Sequence, residues 1–291
     1  MLRNYFITAL RFLIKNRLYT FINIVGLAAS ISCAMVIYLY IKDELTFDEF
    51  HEDIDRLYVL GEGSREGSEA EAAYYQTVYP ALPEMMAQFP EIGTGTRWFD
   101  WEQHILISDK KKFMHQVHYV DSTFLQTLTV PLAEGDPETA LKRADGIIIS
   151  KEIAVKFFNS TDVTGETIEL EDGKRYTITG VVGEVPFNSS VRPEVLMTLH
   201  GKEQDKDFEQ IANWYNTIIQ VAIKLRSGAD PNLLMEKFPA FVKQHYHPEA
   251  RGRNLRIYPL ADLRQSVANN ETYIYGLAST GIFILLIAVI N

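Results

Sequence analysis

Two stretches of the chain carry no charged side chain: Tyr19 to Ile41, 23 residues, and Tyr273 to Ile290, 18 residues. At about 1.5 Å of helical rise per residue the first reaches about 35 Å, enough to cross a hydrocarbon core of roughly 30 Å. Both read as membrane-spanning helices, over residues 19–41 and 272–291, with the second cut short. Residues 42–271 then form one region between them. The first span is rich in small residues (Gly26, Ala28, Ala29, Ser30, Ser32, Ala34), which let another helix approach closely. Ahead of it, Leu2, Tyr5, Phe6, Ala9, Leu10 and Leu13 recur at helical spacing, with Arg3, Asn4, Thr8, Arg11 and Lys15 opposite. Residues 1–18 therefore read as an amphipathic helix lying in the interface, its basic face toward anionic head groups. A straight extension of the span is the other reading, and Asn16 and Arg17 at the junction suit both.

The region between the spans has the shorter periods of a globular domain. Glu44 to Tyr58 reads as a helical or irregular exit leading into a strand near Leu57 to Gly61. Gly61 to Ala73 is polar and rich in Gly, Ser and Glu, a loop pattern. Thr77 to Phe89 reads as a helix with Pro80 in its first turn and Leu82, Met85, Met86 and Phe89 buried. Pro90 ends it, and a strand follows near Thr94 to Trp101. Further on, Ile219, Val221, Ile223 and Leu225 alternate with Gln220, Lys224 and Arg226, a half-buried strand. Asp230-Pro231 supplies an N-cap with proline in the first turn. Leu234, Phe238, Phe241, Val242 and His245 follow at helical spacing, with a kink predicted at Pro239. Asn254 to Pro259 reads as a closing strand.

These outer parts spell strand-helix-strand twice, enough for a split βαβ arrangement of helices on a sheet. The stretch between is strand-rich: Gln103–Ser108, Lys112–Val120, Gly146–Ser150, Thr167–Leu170 and Arg175–Val182, with a short helix at Lys151–Phe158. Glu171 to Lys174 joins the last two strands as a hairpin turn. The predicted fold is thus membrane α-helical spans plus an α+β ectodomain. Within it, a porter-like lobe (52–102 and 214–262) carries an inserted, strand-rich second lobe (103–213).

Charge adds direction. Arg3, Arg11, Lys15 and Arg17 precede the first span, and no acidic residue occurs among the first 42. The whole chain is −10 and its first 18 residues are +4, so the remainder carries −14. Lys and Arg beside a span favour the cytoplasmic side. The N-terminus is predicted inside, and residues 42–271 periplasmic. A cleaved signal peptide has a shorter apolar core and a small-residue cleavage site, whereas Asp43, Glu44 and Leu45 follow this one. Lys42-Asp43-Glu44-Leu45 imitates a retrieval tag, but such tags act only at a C-terminus. A chain that stops inside an apolar run reads as the N-terminal fragment of a longer polytopic protein; a complete two-span protein is the alternative. Cys33, the single cysteine, lies in the first span and has no partner for an internal disulfide.

Catalytic chemistry leaves little trace. There is no Gly-x4-Gly-Lys-Ser/Thr, His-Glu-x-x-His or Gly-x-Ser-x-Gly pattern. Gly61 to Gly67 lacks the dinucleotide spacing and carries acids that repel phosphate. His115 with His118 and His245 with His247 are candidate zinc pairs, but no Cys, Asp or Glu pattern completes either. No catalytic, cofactor-binding or metal residue is nominated, and no cofactor. Trp98, Phe99 and Trp101, near Tyr74, Tyr75 and Tyr79, read as core or anchoring aromatics, with partner contact as the alternative. Lys110 to Lys112 reads as a solvated turn, and net acidity argues against nucleic acid.

The residues resemble a family. Asn4-Tyr5-Phe6, Ala9-Leu10-Arg11, Lys15-Asn16 and Phe21 to Ala28 resemble the start of MacB/FtsX-type ABC transporter permeases, in a form common in Bacteroidetes. Glu44 to His51, Asp55 to Tyr58, and Phe89 to Ile92 are similar to that family's segments after the first span. So are Gly135-Asp136-Pro137, Ile148 to Ala154, Thr179 to Val182, and Val185 to Ser189. Tyr273 to Asn291 looks like the start of the second span. Thr161 to Gly165 departs from the family's usual Pro-Ile-Gly.

The resemblance implies a non-enzymatic permease subunit in the inner membrane. Its implied partners are a cytoplasmic ABC ATPase, a second permease copy or pseudo-symmetric mate, membrane lipid, and a periplasmic adaptor. ATP hydrolysis by that ATPase would move the periplasmic domain, in efflux or in mechanotransmission, through a rigid link over Lys42 to Phe50. An extracytoplasmic sensor held by two spans is the alternative function.

Overall fold

The computed structural model describes residues 2–63, 75–109, 111–263 and 270–290. The chain divides into two compact units, residues 1–47 with 264–291, and residues 48–263.

The first unit is helical. Helix α1 spans Leu2–Lys15 and α2 spans Arg17–Leu45. They are separate helices, broken at Asn16, whose side-chain amide donates to Phe12 O at 3.3 Å. Thr20 Oγ1 reaches back to Leu13 O at 2.9 Å. The third helix of this unit runs Asn270–Ile290. It packs on α2, where Gly281 leaves room for Ile37: a Cβ on Gly281 would sit 3.3 Å from Ile37 Cγ2. Both long helices are apolar enough to cross a membrane.

The second unit is built on one 11-stranded sheet. Its first half contains β1 (Leu57–Gly63), β2 (Thr77–Val78), α3 (Ala81–Gln88), β3 (Ile92–Ser108) and β4 (Lys111–Val120). Next come α4 (Phe124–Thr127), β5 (Leu132–Gly135), β6 (Gly146–Ser150), α5 (Lys151–Phe158), β7 (Thr167–Leu170), β8 (Arg175–Val182) and β9 (Val195–Thr198). The chain closes with α6 (Leu199–Lys202), α7 (Lys206–Ile211), β10 (Thr217–Leu225), α8 (Pro231–Met235), α9 (Phe238–His245) and β11 (Asn254–Pro259). The helix at Asn270–Ile290 is α10.

The main path of the sheet runs β11-β1-β10-β3-β4-β9-β6-β8-β5. Its first four strands, antiparallel at every step, reproduce the fourth-first-third-second order of a split βαβ fold. β3 and β4 form a long hairpin, and β4 passes the sheet on to β9 through a parallel pairing. Apolar side chains cover both faces. Leu60, Val221, Ile223, Ile147 and Ile149 pack toward Met85, Phe238, Phe241 and Phe157. Leu57, Val59, Ala222, Ile148 and Leu196 pack toward Phe124, Leu128, Leu141 and Leu260. A strand buried on both sides is apolar throughout, which explains Gly146–Ser150. It also corrects the half-buried reading of Thr217–Leu225, because Ala222 lies under the second cluster and is fully buried.

Other boundaries also differ from expectation. The helix predicted from Thr77 starts at Ala81, because Thr77 and Val78 pair with β10 as a short strand. Gly61 to Gly63 belong to β1 rather than to the loop; the rest of that loop lies outside the described residues. The strands predicted at 94–101 and 103–108 are one strand with a register shift between Phe99 and Glu102. A bulge there flips the alternation, so one strand reads as two. Pro239 stands at the second position of a new helix rather than at a kink: α8 stops at Met235 and α9 starts at Phe238. The short strands β5 and β9 and the helices α4, α6 and α7, of four to six residues, are too short to show a period in the sequence.

Candidate functional site

A buried polar site lies at the very beginning of the second unit. Helix α2 closes at Thr46, whose N–H and hydroxyl both donate to Lys42 O, at 3.0 and 2.9 Å. Two residues later Asp48 adopts φ +61°, a left-handed conformation that Asp tolerates better than most residues. Its backbone N–H donates to Asn188 O at 2.8 Å, and its Oδ1 accepts from the Ser190 N–H at 2.7 Å. Asp48 is completely buried. The receiving loop is stiffened from within by Ser189, whose hydroxyl accepts from the Val191 N–H and donates to Val191 O, at 3.2 and 3.1 Å.

His51 continues the turn. Its N–H donates to Asp48 O at 3.1 Å, and its ring packs on Phe50 with centroids 4.1 Å apart. Nδ1 accepts from the Thr129 backbone N–H at 3.1 Å, which requires that nitrogen to be unprotonated. The proton of the neutral ring is then on Nε2, which faces Asp48 Oδ1 at 3.7 Å. Burial, with Lys224 adding a smaller push, lowers the imidazole to about 4, so it stays neutral near pH 7. Glu52 completes the arrangement, its N–H donating to Thr129 Oγ1 at 2.7 Å. Residues 48–52 are thus bonded to two separate loops, one at Thr129 and one at Asn188–Ser190.

The structure separates the histidines paired in the sequence. On β4, His115 bonds Glu194 at 2.9 Å, and His118 faces Asp100 at 3.8 Å. His245 contacts Gln88 and stacks on Trp214, while His247 caps the short turn at Pro248–Ala250. Among the described residues, no group of three or more His, Cys, Asp or Glu forms a metal cage. Trp98 and Phe99 are core residues, and Trp101 is half exposed, stacked on Phe99 at 4.1 Å. Tyr79 is buried with Arg97 over its ring, and Tyr75 meets Tyr258 edge-on; Tyr74 lies outside the described residues. Of the lysine run, Lys110 lies outside them too. Lys111 is not merely solvated: its ammonium caps α5 by donating to Lys156 O and Phe157 O, at 2.8 and 2.9 Å.

Three charge clusters bring together side chains from different elements of the second unit. Arg97 donates twice to Asp121, at 2.9 Å each, and once to Tyr79 O. Glu62 accepts from Thr77, Tyr246 and Arg253 in the core, where burial raises its carboxyl. His104 bridges Glu102 and Glu171, at 3.3 and 2.9 Å. Grooves of about 660, 690 and 960 Å³ open to solvent among the described residues.

The geometry defines a class first: a mixed α/β domain on one sheet, flanked in the chain by two long apolar helices. Residues 20–241 match the MacB-like periplasmic core domain, and the chain belongs to that family. It is a transporter-type membrane protein. Among solved structures it is similar to a domain of a protein assigned as a permease from Porphyromonas gingivalis. The two are 26% identical with TM-score 0.58, covering 70% of this chain and 90% of the other. The periplasmic region of MacB from Actinobacillus actinomycetemcomitans shares the fold at 12% identity and TM-score 0.52, covering 75% and 97%. No curated protein matches the chain.

Proposed function

We propose that this chain is the transmembrane permease subunit of an ABC-type exporter or mechanotransmission complex, without catalytic activity of its own. A separate cytoplasmic ATPase hydrolyses ATP, and the spans carry the resulting movement to a periplasmic domain. The observation that carries this reading is a MacB-like core domain bracketed in sequence by two apolar helices, the first with a basic, acid-free foot. In this arrangement the N-terminus is cytoplasmic, residues 42–271 face the periplasm, and the protein is a multi-pass protein of the inner membrane. Two permease copies or pseudo-symmetric mates pair, and a periplasmic adaptor docks on the ectodomain. Within that ectodomain, the porter-like part comprises 52–102 and 214–262, and the inserted part 103–213.

The link between span and ectodomain is the place to test it. The sequence points to Leu45 and Phe50. Leu45 is half exposed at the end of α2, whereas Phe50 packs on His51, so Phe50 is the informative position. In the full-length permease reconstituted with its partner ATPase, Phe50→Ser is expected to leave ATP hydrolysis running while export falls at least tenfold. Unchanged export per ATP in that variant counts against the reading.

A further inference from the structure

We propose that the turn Asp48–Glu52 is a two-ended clasp, with Asp48 and His51 as positioning residues, that splits movement of the first span between the Thr129 loop and the Asn188–Ser190 loop. The inference rests on the permease reading, and it names the part of the ectodomain that receives the movement. Helix α2 ends at Leu45, so helical stiffness stops three residues before Asp48. A flexible joint there would absorb any displacement. The chain instead enters the second unit through five residues held at four points: Asp48 N–H to Asn188 O, Ser190 N–H to Asp48 Oδ1, Thr129 N–H to His51 Nδ1, and Glu52 N–H to Thr129 Oγ1. Each bond crosses at least 77 residues of sequence, so none is a local turn contact.

The two receiving loops lead into different parts of the sheet. Thr129 sits between α4 and β5, and α4 packs its Phe124 against Trp98 of β3, with ring centroids 6.1 Å apart. Asn188–Ser190 sits between β8 and β9, whose strands β9 and β6 pair side by side. A displacement of Asp48–Glu52 thus reaches the β3 edge of the split βαβ strands and the β6–β9 strands together. The chemistry suits a stiff joint. Asp48 and His51 are 0% and 3% exposed, so water does not compete for their bonds. The left-handed backbone at Asp48 turns the chain so that its N–H and carboxylate address the same loop.

The test uses the full-length permease with its ATPase in nanodiscs, read by hydrogen exchange in peptides covering 126–132 and 186–194, with and without ATP. His51→Asn keeps an acceptor where Nδ1 stood; His51→Leu removes it. Asp48→Asn keeps the acceptor for Ser190, while Asp48→Gly keeps the left-handed backbone and removes it. In the wild type, ATP is expected to change exchange in both peptides. His51→Asn and Asp48→Asn should retain that response. His51→Leu and Asp48→Gly should lose it, with exchange about tenfold faster at the freed amide and ATPase activity retained. Thr129→Val, which deletes only the hydroxyl acceptor, gives the same reading from a milder change should His51→Leu fail to fold.

A His51→Leu or Thr129→Val protein that melts at lower temperature yet keeps the full ATP response has lost a structural cap only, and the clasp is overturned. Loss of response in both His51→Asn and His51→Leu overturns the hydrogen-bond assignment. A wild-type complex whose ectodomain ignores ATP overturns the permease reading and the clasp with it.

Discussion

Arg97 is a long cationic side chain in the middle of the sheet, 9% exposed. It survives there because its Nε, Nη1 and Nη2 each donate a hydrogen bond and its guanidinium lies over a ring. Asp121 accepts from Nε and Nη2, Tyr79 O accepts from Nη1, and the Tyr79 ring lies 4.1 Å below. Removing one member of such a pair leaves the other buried and uncompensated, which costs about 3–5 kcal/mol. Arg97→Ala is therefore expected to lower stability by about that amount, seen as a clear drop in the thermal midpoint of the purified full-length protein. A change under about 1 kcal/mol would show that solvent reaches Asp121 and screens it.

Between elements, His104 extends the backbone pairing of β3 with β7 (Leu106 opposite Leu170) into the β7–β8 turn. Nδ1 faces Glu171, Nε2 faces Glu102 and the Tyr119 hydroxyl, and Glu171 also accepts the Ile105 N–H at 2.8 Å. Lys202 meets Glu102 from α6, at 2.9 Å, and shares its charge. Asp172 and Lys174 flank the site from the turn and Tyr176 from β8. The bond to Glu102, followed by Glu171, raises the imidazole above its ordinary value despite partial burial. A group raised on folding adds stability in full below its unfolded pKa, about 6.5, and that stability is lost as pH rises through the folded value. The thermal midpoint of the wild type, measured against His104→Gln, is expected to show its full advantage below about pH 6.5 and to lose it as pH rises through the raised folded value. Glu171→Gln should move that loss to lower pH. A difference that grows with pH would mean that His104 is held neutral.

For the molecule as a whole, charge and hydropathy combine to give an orientation. The basic foot and the acidic remainder are what the proposed topology rests on, with residues 42–271 outside the cytoplasm as its expectation. With Cys33 replaced by Ser, a single cysteine at exposed Ser160 is expected to react with a membrane-impermeant maleimide in spheroplasts. One at exposed Lys15 should react only after lysis. The opposite pattern would invert the topology and remove the periplasmic role.

Some of this was decided by the sequence alone. Twenty-three uncharged residues in a row dictate a long apolar helix, because hydrocarbon accepts nothing else at that length. Strands with a clear boundary, such as Arg175–Val182 behind the Glu171–Lys174 turn, were equally legible, and so was the Asp230 cap, whose carboxylate does accept from the Asn232 N–H. The segments that carry the clasp, Glu44–His51 and Val185–Ser189, stood out only through family resemblance. Nothing in their composition says that Asp48 and Ser190 meet.

Tertiary structure decided the rest, for one reason. Hydrophobic period is a property of neighbours in sequence, while Asp48 with Ser190, Arg97 with Asp121, and His104 with Glu171 join residues 142, 24 and 67 positions apart. Burial makes those polar contacts strong. Burial is set by what the sheet brings together, so these sites exist only once the chain has closed over them.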